Sequence, residues 1–152
     1  MKKFFLLINI LPISLMILCS GCQTPYHKLY EGEKLPASEV AVLKNSDAFT
    51  RNVDIIEIDN IPGEQYPFGE RYFNNHFNGT YHIELLPGKH LLKVQYGTIT
   101  WRRQGITNLE FEAKPGKIYT IKDKLEKTDK GLFPNKVDLW VEEVGDNPEI
   151  KK

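Results

Sequence analysis

The chain has 152 residues, in which 20 Lys and Arg balance 20 Asp and Glu. A neutral chain without a basic stripe offers no polyanion footprint, which argues against nucleic acid as a partner. Both cysteines, Cys19 and Cys22, lie near the start, so the remainder can close no internal disulfide and must be held by its core. About 130 residues follow that start, enough for one domain with a real core and too few for two.

Met1-Lys2-Lys3 is a cationic start, Phe4 to Leu18 is an apolar run, and Ser20-Gly21 lead into Cys22. That succession marks an export signal. The run falls short of the roughly twenty apolar residues of a transmembrane helix and carries Asn9 and Pro12. Cys19 and Cys22 also make a C-x-x-C spacing. It sits at the end of an apolar run rather than opening a helix after a strand, which disfavours a redox or metal site. Ser20-Gly21-Cys22 behind Leu18 resembles the lipobox of bacterial lipoproteins, with one departure: Cys19 stands third before the cysteine and the leucine one place earlier. The resemblance implies that residues 1–21 are removed. Cys22 then becomes the first residue, carrying diacylglyceryl and N-acyl (palmitate-type) chains that hold the protein on a membrane of the cell envelope. Gln23, where Asp would retain a lipoprotein at the inner membrane, implies sorting to the periplasmic face of the outer membrane.

Residues 22–36, with Pro25, Gly32 and Pro36, read as the lipidated cysteine and a tether that lifts a domain from the lipid, while Tyr26, Tyr30 and Leu35 leave open that part of it docks on the domain. The domain is expected over 37–145, and 146–152 as a flexible tail. Glu39 to Leu43 and Val53 to Ile58 are strand candidates, the second with apolar residues on both faces, as in a buried or bulged strand. Glu64 to Gly79 reads as a long loop.

Tyr81, Ile83 and Leu85 alternate with polar residues, Pro87-Gly88 intervenes, and Leu92, Val94 and Tyr96 alternate again. A hairpin with a two-residue loop pairs Ile83 with Leu92, Tyr81 with Val94, Leu85 with His90 and His82 with Lys93, keeping the apolar set on one face. In a type II turn Gly88 takes positive φ. The same test fails at Pro115-Gly116, where a two-residue loop sets Leu109 and Phe111 opposite Lys122 and Thr120. An odd loop, a bulge or a crossing to a second sheet remains there. Val137 to Glu142 makes a last strand.

About seven strands without a convincing helix give an all-β, two-sheet antiparallel sandwich. Its expected core is Val40, Val42, Ile56, Ile58, Tyr81, Ile83, Leu85, Leu92, Val94, Tyr96, Leu109, Phe111, Tyr119, Ile121, Leu139 and Val141. Tyr30-x-Gly32, Leu35-Pro36, Glu39 to Leu43, Ile58-Asp59 and Leu85-Leu86-Pro87-Gly88-Lys89-His90 resemble uncharacterised lipoproteins of Gram-negative bacteria. Their Pro-Gly-x-His hairpin is similar to PEGA-type and transthyretin-like β modules. The resemblance implies fold and compartment and brings no catalytic residue with it.

Motifs for chemistry are sparse. Ser38 and Ser46 sit in no glycine-flanked elbow, and the four histidines lack ligand spacing, so the sequence implies neither a catalytic residue, a metal nor a cofactor. His90 reads as a part-buried histidine bonded at the sheet end. The densest functional candidate is Tyr66 to Phe77, where Tyr72, Phe73, His76 and Phe77, with Arg71 at the rim, would contact an envelope protein or a glycan. The competing reading is that these rings fold back to cap the core. Trp101-Arg102-Arg103 is a weaker second patch. The oligomeric state is not legible.

Overall fold

The computed structural model of the chain describes residues 24–45, 53–65, 71–73, 79–96, 105–126 and 136–151. Within them run β1 (Tyr26–Lys28), β2 (Ala41–Asn45), β3 (Val53–Ile58), β4 (Ile61–Pro62), β5 (Glu64–Gln65), β6 (Arg71–Tyr72), β7 (Tyr81–Leu85), β8 (Gly88–Tyr96), β9 (Ile106–Ala113), β10 (Lys117–Glu126) and β11 (Lys136–Asp146). A 3-10 turn, Pro148–Lys151, follows. The fold is an all-β sandwich. One sheet has the order β1-β7-β2-β10-β11, the other β4-β3-β8-β9, and β5 and β6 form a separate ribbon. The strands outnumber the expected seven because β1, β4, β5 and β6 are two or three residues long, too short to show alternation in sequence. The first sheet is also mixed rather than antiparallel, since β1 runs parallel to β7 and β2 parallel to β10.

The hairpin expected over Thr80 to Tyr96 does not form. β7 belongs to the first sheet, where Leu85 and Ile83 lie opposite Ala41 and Leu43. β8 belongs to the second, where Leu92 lies between Ile58 and Leu109. Leu86-Pro87 carries the chain across the core. Alternation reports which side chains face inward, and strands facing each other across a core bury the same parity as strands paired side by side. His82 therefore lies opposite Lys44 and Tyr26, not Lys93, and His90 opposite Phe111, not Leu85. At Pro115-Gly116 the chain crosses again, from β9 to β10, the option that the poor hairpin register had left open.

Gly88 has the expected positive φ, but at +140° and paired with Ala113 inside β8 rather than in a type II turn. A Cβ there would meet nothing within 4 Å. Gly88→Val is expected to cost about 1 to 3 kcal/mol through backbone conformation alone; an unchanged melting temperature would reject that strain.

Leu43, Ile55, Ile58, Ile83, Leu85, Leu92 and Val94 are fully buried between the sheets, and Phe111 stacks obliquely on Tyr119 at 5.2 Å across the layers. In β3 a bulge between Ile55 and Glu57 turns Ile55 and Ile58 inward, so Ile56, expected in the core, is only part-buried. In β2 the central core takes Ala41 and Leu43. Val40 and Val42 are buried as expected, but outside that cluster, Val42 lying across from Glu84 and Ile118. A sheet buried on both faces carries apolar residues at both parities, and sequence cannot say which parity faces the larger core.

The outer cover of β7, β2 and β10 comes from segments read as tether and tail. Residues 26–36 are no free spacer: β1 joins the first sheet, the Leu29 amide donates to the Glu84 carbonyl (3.0 Å), and the Tyr30 hydroxyl donates to the Glu84 carboxylate (2.8 Å). Nor is the end of the chain a loose tail, because the Asn147 amide donates to the Gly116 carbonyl (2.8 Å) and a Cβ on Gly116 would press on Ile150. Glu84 is 3% exposed and pairs with Lys34 at 3.4 Å. Burial alone would push its carboxyl up, but hydrogen bonds from Tyr30 and Tyr26 and the Lys34 charge outweigh burial and hold it below the ordinary range. A carboxyl depressed on folding contributes stability above its unfolded value, near 4.3, and loses it as pH falls through the folded value. Glu84→Gln is therefore expected to flatten the acid limb of stability as pH falls below the ordinary carboxyl range. Urea midpoints measured down the acid limb check this, and an unchanged slope in the variant would contradict it.

Candidate functional site

Cys22 lies outside the described residues. The backbone close behind it is fixed: the His82 amide donates to the Pro25 carbonyl at 3.0 Å, and β1 begins at the next residue.

Of the aromatic segment, residues 71–73 are described; His76 and Phe77 lie outside, as do Trp101, Arg102 and Arg103. Arg71 pairs with Gln65 in the β5–β6 ribbon. Tyr72 and Phe73 are each 3% exposed, so these two contact candidates are interior rings that cap the core. Phe73 closes a side of the sandwich, between β3 and β1, rather than an end. The Phe73 amide donates to the Ile55 carbonyl (2.8 Å), His27 Nε2 meets the Phe73 carbonyl (2.9 Å), and the His27 and Phe73 rings meet edge to face at 5.1 Å. Gly63 allows this approach, because a Cβ there would lie 2.3 Å from the Tyr72 carbonyl carbon. Density of aromatics marks the segment in sequence; its long-range partners Ile55 and His27 leave no local signal.

The geometry brings together a second set that the sequence left scattered. Asp59 and Asn60, both at positive φ, form the two-residue turn joining β3 to β4, the pattern of a type I′ hairpin. Asp59 Oδ1 accepts the Leu91 amide (2.8 Å), Asp59 Oδ2 lies 2.5 Å from His90 Nδ1, and His90 Nε2 donates to the Leu86 carbonyl (2.7 Å). These groups border an open groove of about 300 Å³ whose rim adds Lys89, Glu110 and Glu112. An Asp–His pair beside a groove is the outline of an acid–base site. Here both ring nitrogens and both carboxylate oxygens are engaged within the fold, and the position a nucleophile would take at Nε2 is held by a backbone carbonyl. The pair staples the β3–β4 turn to the Leu86–Pro87 crossing. His90 is thus the part-buried, bonded histidine at a sheet end, with partners that pairing arguments missed. Among the described residues no three His, Cys, Asp or Glu side chains are grouped to hold a metal ion.

Two long strands border the sheets. Among the described residues β9 pairs with β8 alone and β11 with β10 alone, and β11 exposes Trp140 and Val144. An extended segment of another protein could add to such an edge. Comparison of the chain with models of known families, with curated proteins and with solved structures finds no match.

Proposed function

We propose that this protein is a lipid-anchored lipoprotein of the bacterial envelope, held through Cys22 on the periplasmic face of the outer membrane. In this reading it acts without catalysis, as a binding or scaffold module that meets an envelope protein or glycan. The observation that carries it is Ser20-Gly21-Cys22 behind an apolar run, followed at once by a β domain. The β11 edge supports a protein partner, and His76 and Phe77 remain contact candidates. A second reading, a purely structural envelope protein, is favoured by the burial of Tyr72 and Phe73, which removes two rings from any recognition surface. An envelope enzyme is the third, and the engaged Asp59–His90 pair argues against that groove as its centre. Capture of crosslinked partners from envelopes separates the first two. Binding predicts a saturable partner lost either in Trp140→Lys, on the β11 edge, or in His76→Ala with Phe77→Ala. Capture that neither variant alters, or none that saturates, supports the structural reading.

A further inference from the structure

We infer that the sandwich stands end-on upon the phospholipid headgroup layer, at the end where β1 begins, with its strands running away from the membrane. The inference rests on the Cys22 anchor proposed above. It comes from the length of chain left between anchor and fold. Because the His82 amide holds the Pro25 carbonyl, Gln23 and Thr24 alone separate Cys22 from fixed backbone. At about 3.8 Å per residue, Cys22 Cα lies within about 11 Å of Pro25 Cα. Acyl chains in the hydrocarbon place the Cys22 backbone at headgroup level, so the protein surface around Pro25 is there too.

The topology says which surface that is. β1 enters beside Tyr81 at the start of β7, and β2 ends there at Asn45. In the other sheet β8 ends at Tyr96, whose phenol hydrogen-bonds Asp123 in the second half of β10, bringing Lys124 and the start of β9, Ile106, to the same end. Leu86 and Glu112 stand at the opposite end, with Gly88 and Ala113. The nine residues of β8 separate the two ends, by about 27 Å at strand rise. Among the described residues the near end exposes the Ile106 side chain and Lys124, an apolar and ammonium pair that suits the headgroup layer.

The test uses the full chain, expressed, processed and reconstituted in phosphatidylcholine vesicles containing a lipid with a nitroxide headgroup. In the anchored protein the Cys22 thiol is consumed by the thioether, so an introduced cysteine is the sole thiol of the mature chain. A fluorophore is attached at Ile106→Cys or Lys124→Cys, and for comparison at Leu86→Cys or Glu112→Cys, all exposed positions. Quenching several-fold stronger at 106 and 124 than at 86 and 112 is expected. Equal or reversed quenching overturns the orientation. The mass of the N-terminal peptide from the same sample keeps the two ideas apart: acylated Cys22 with equal quenching overturns the orientation alone, whereas unmodified Cys22 overturns the anchor and the orientation with it.

Discussion

Phe73→Ala is expected to lower the stability of the domain by about 3 to 5 kcal/mol, the usual cost of removing a buried phenylalanine ring. The ring lies in the core cluster at 3% exposure. Its backbone joins both layers, with the amide on Ile55 of β3 and the carbonyl on His27 of β1. Truncation leaves a cavity where two sheet edges must be held together, and β1 is too short to close it by shifting. Urea unfolding of wild type and variant measures the loss. A cost under about 1 kcal/mol would mean that the ring is not seated between the sheets, and would return it to the recognition surface that the sequence suggested.

Gly63→Ala should be comparably damaging for a different reason. A Cβ at Gly63 would lie 2.3 Å from the Tyr72 carbonyl carbon, 2.6 Å from its oxygen and 2.7 Å from its Cα. These are backbone atoms, and they cannot swing aside as a side-chain tip can. Either the β5–β6 ribbon lifts off β3, taking Tyr72 and Phe73 with it, or the Gly63 amide leaves the Ile56 carbonyl that it meets at 2.9 Å. The expected cost is about 3 kcal/mol or more, at the upper end of overpacking. Since both changes disturb the same closure, the double variant with Phe73→Ala should lose less than the sum of the two. Melting curves for Gly63→Ala and Gly88→Ala measured together give a sharper check. Gly63 should be the more costly, because the space at Gly88 is open and the space at Gly63 is filled by backbone.

What could be read from sequence divides along a physical line. Inward parity was legible in β7 and β8, where Ile83, Leu85, Leu92 and Val94 alternate as a buried face must and are buried, but not in the bulged β3 or in β2, which is buried on both faces. Pairing was not, because the two Pro-Gly segments look alike and a crossing buries the same residues as a hairpin. The poor register at Pro115-Gly116 was the informative signal; the good register at Pro87-Gly88 misled. Residues 26–36 and 146–151 lacked periodicity because β1 is only three residues long and the remainder is held by individual long-range contacts such as Tyr30 to Glu84 and Asn147 to Gly116. Of the aromatic segment, composition gave the density of rings, but only the contact of Phe73 with His27 and Ile55 decides that this ring caps the core. The staple of Asp59, His90 and Leu86 joins residues 31 apart through Asp59 and His90, beyond the reach of a local motif.

The most direct measurement of the account is metabolic labelling with a fatty-acid analogue, in cells expressing the wild-type chain or Cys22→Ala. The wild type should take up label, lose residues 1–21 and begin at an acylated Cys22, while Cys22→Ala accumulates as an unlabelled precursor. Equal labelling of both, no labelling of either, or a mature chain beginning elsewhere than Cys22 would contradict the account.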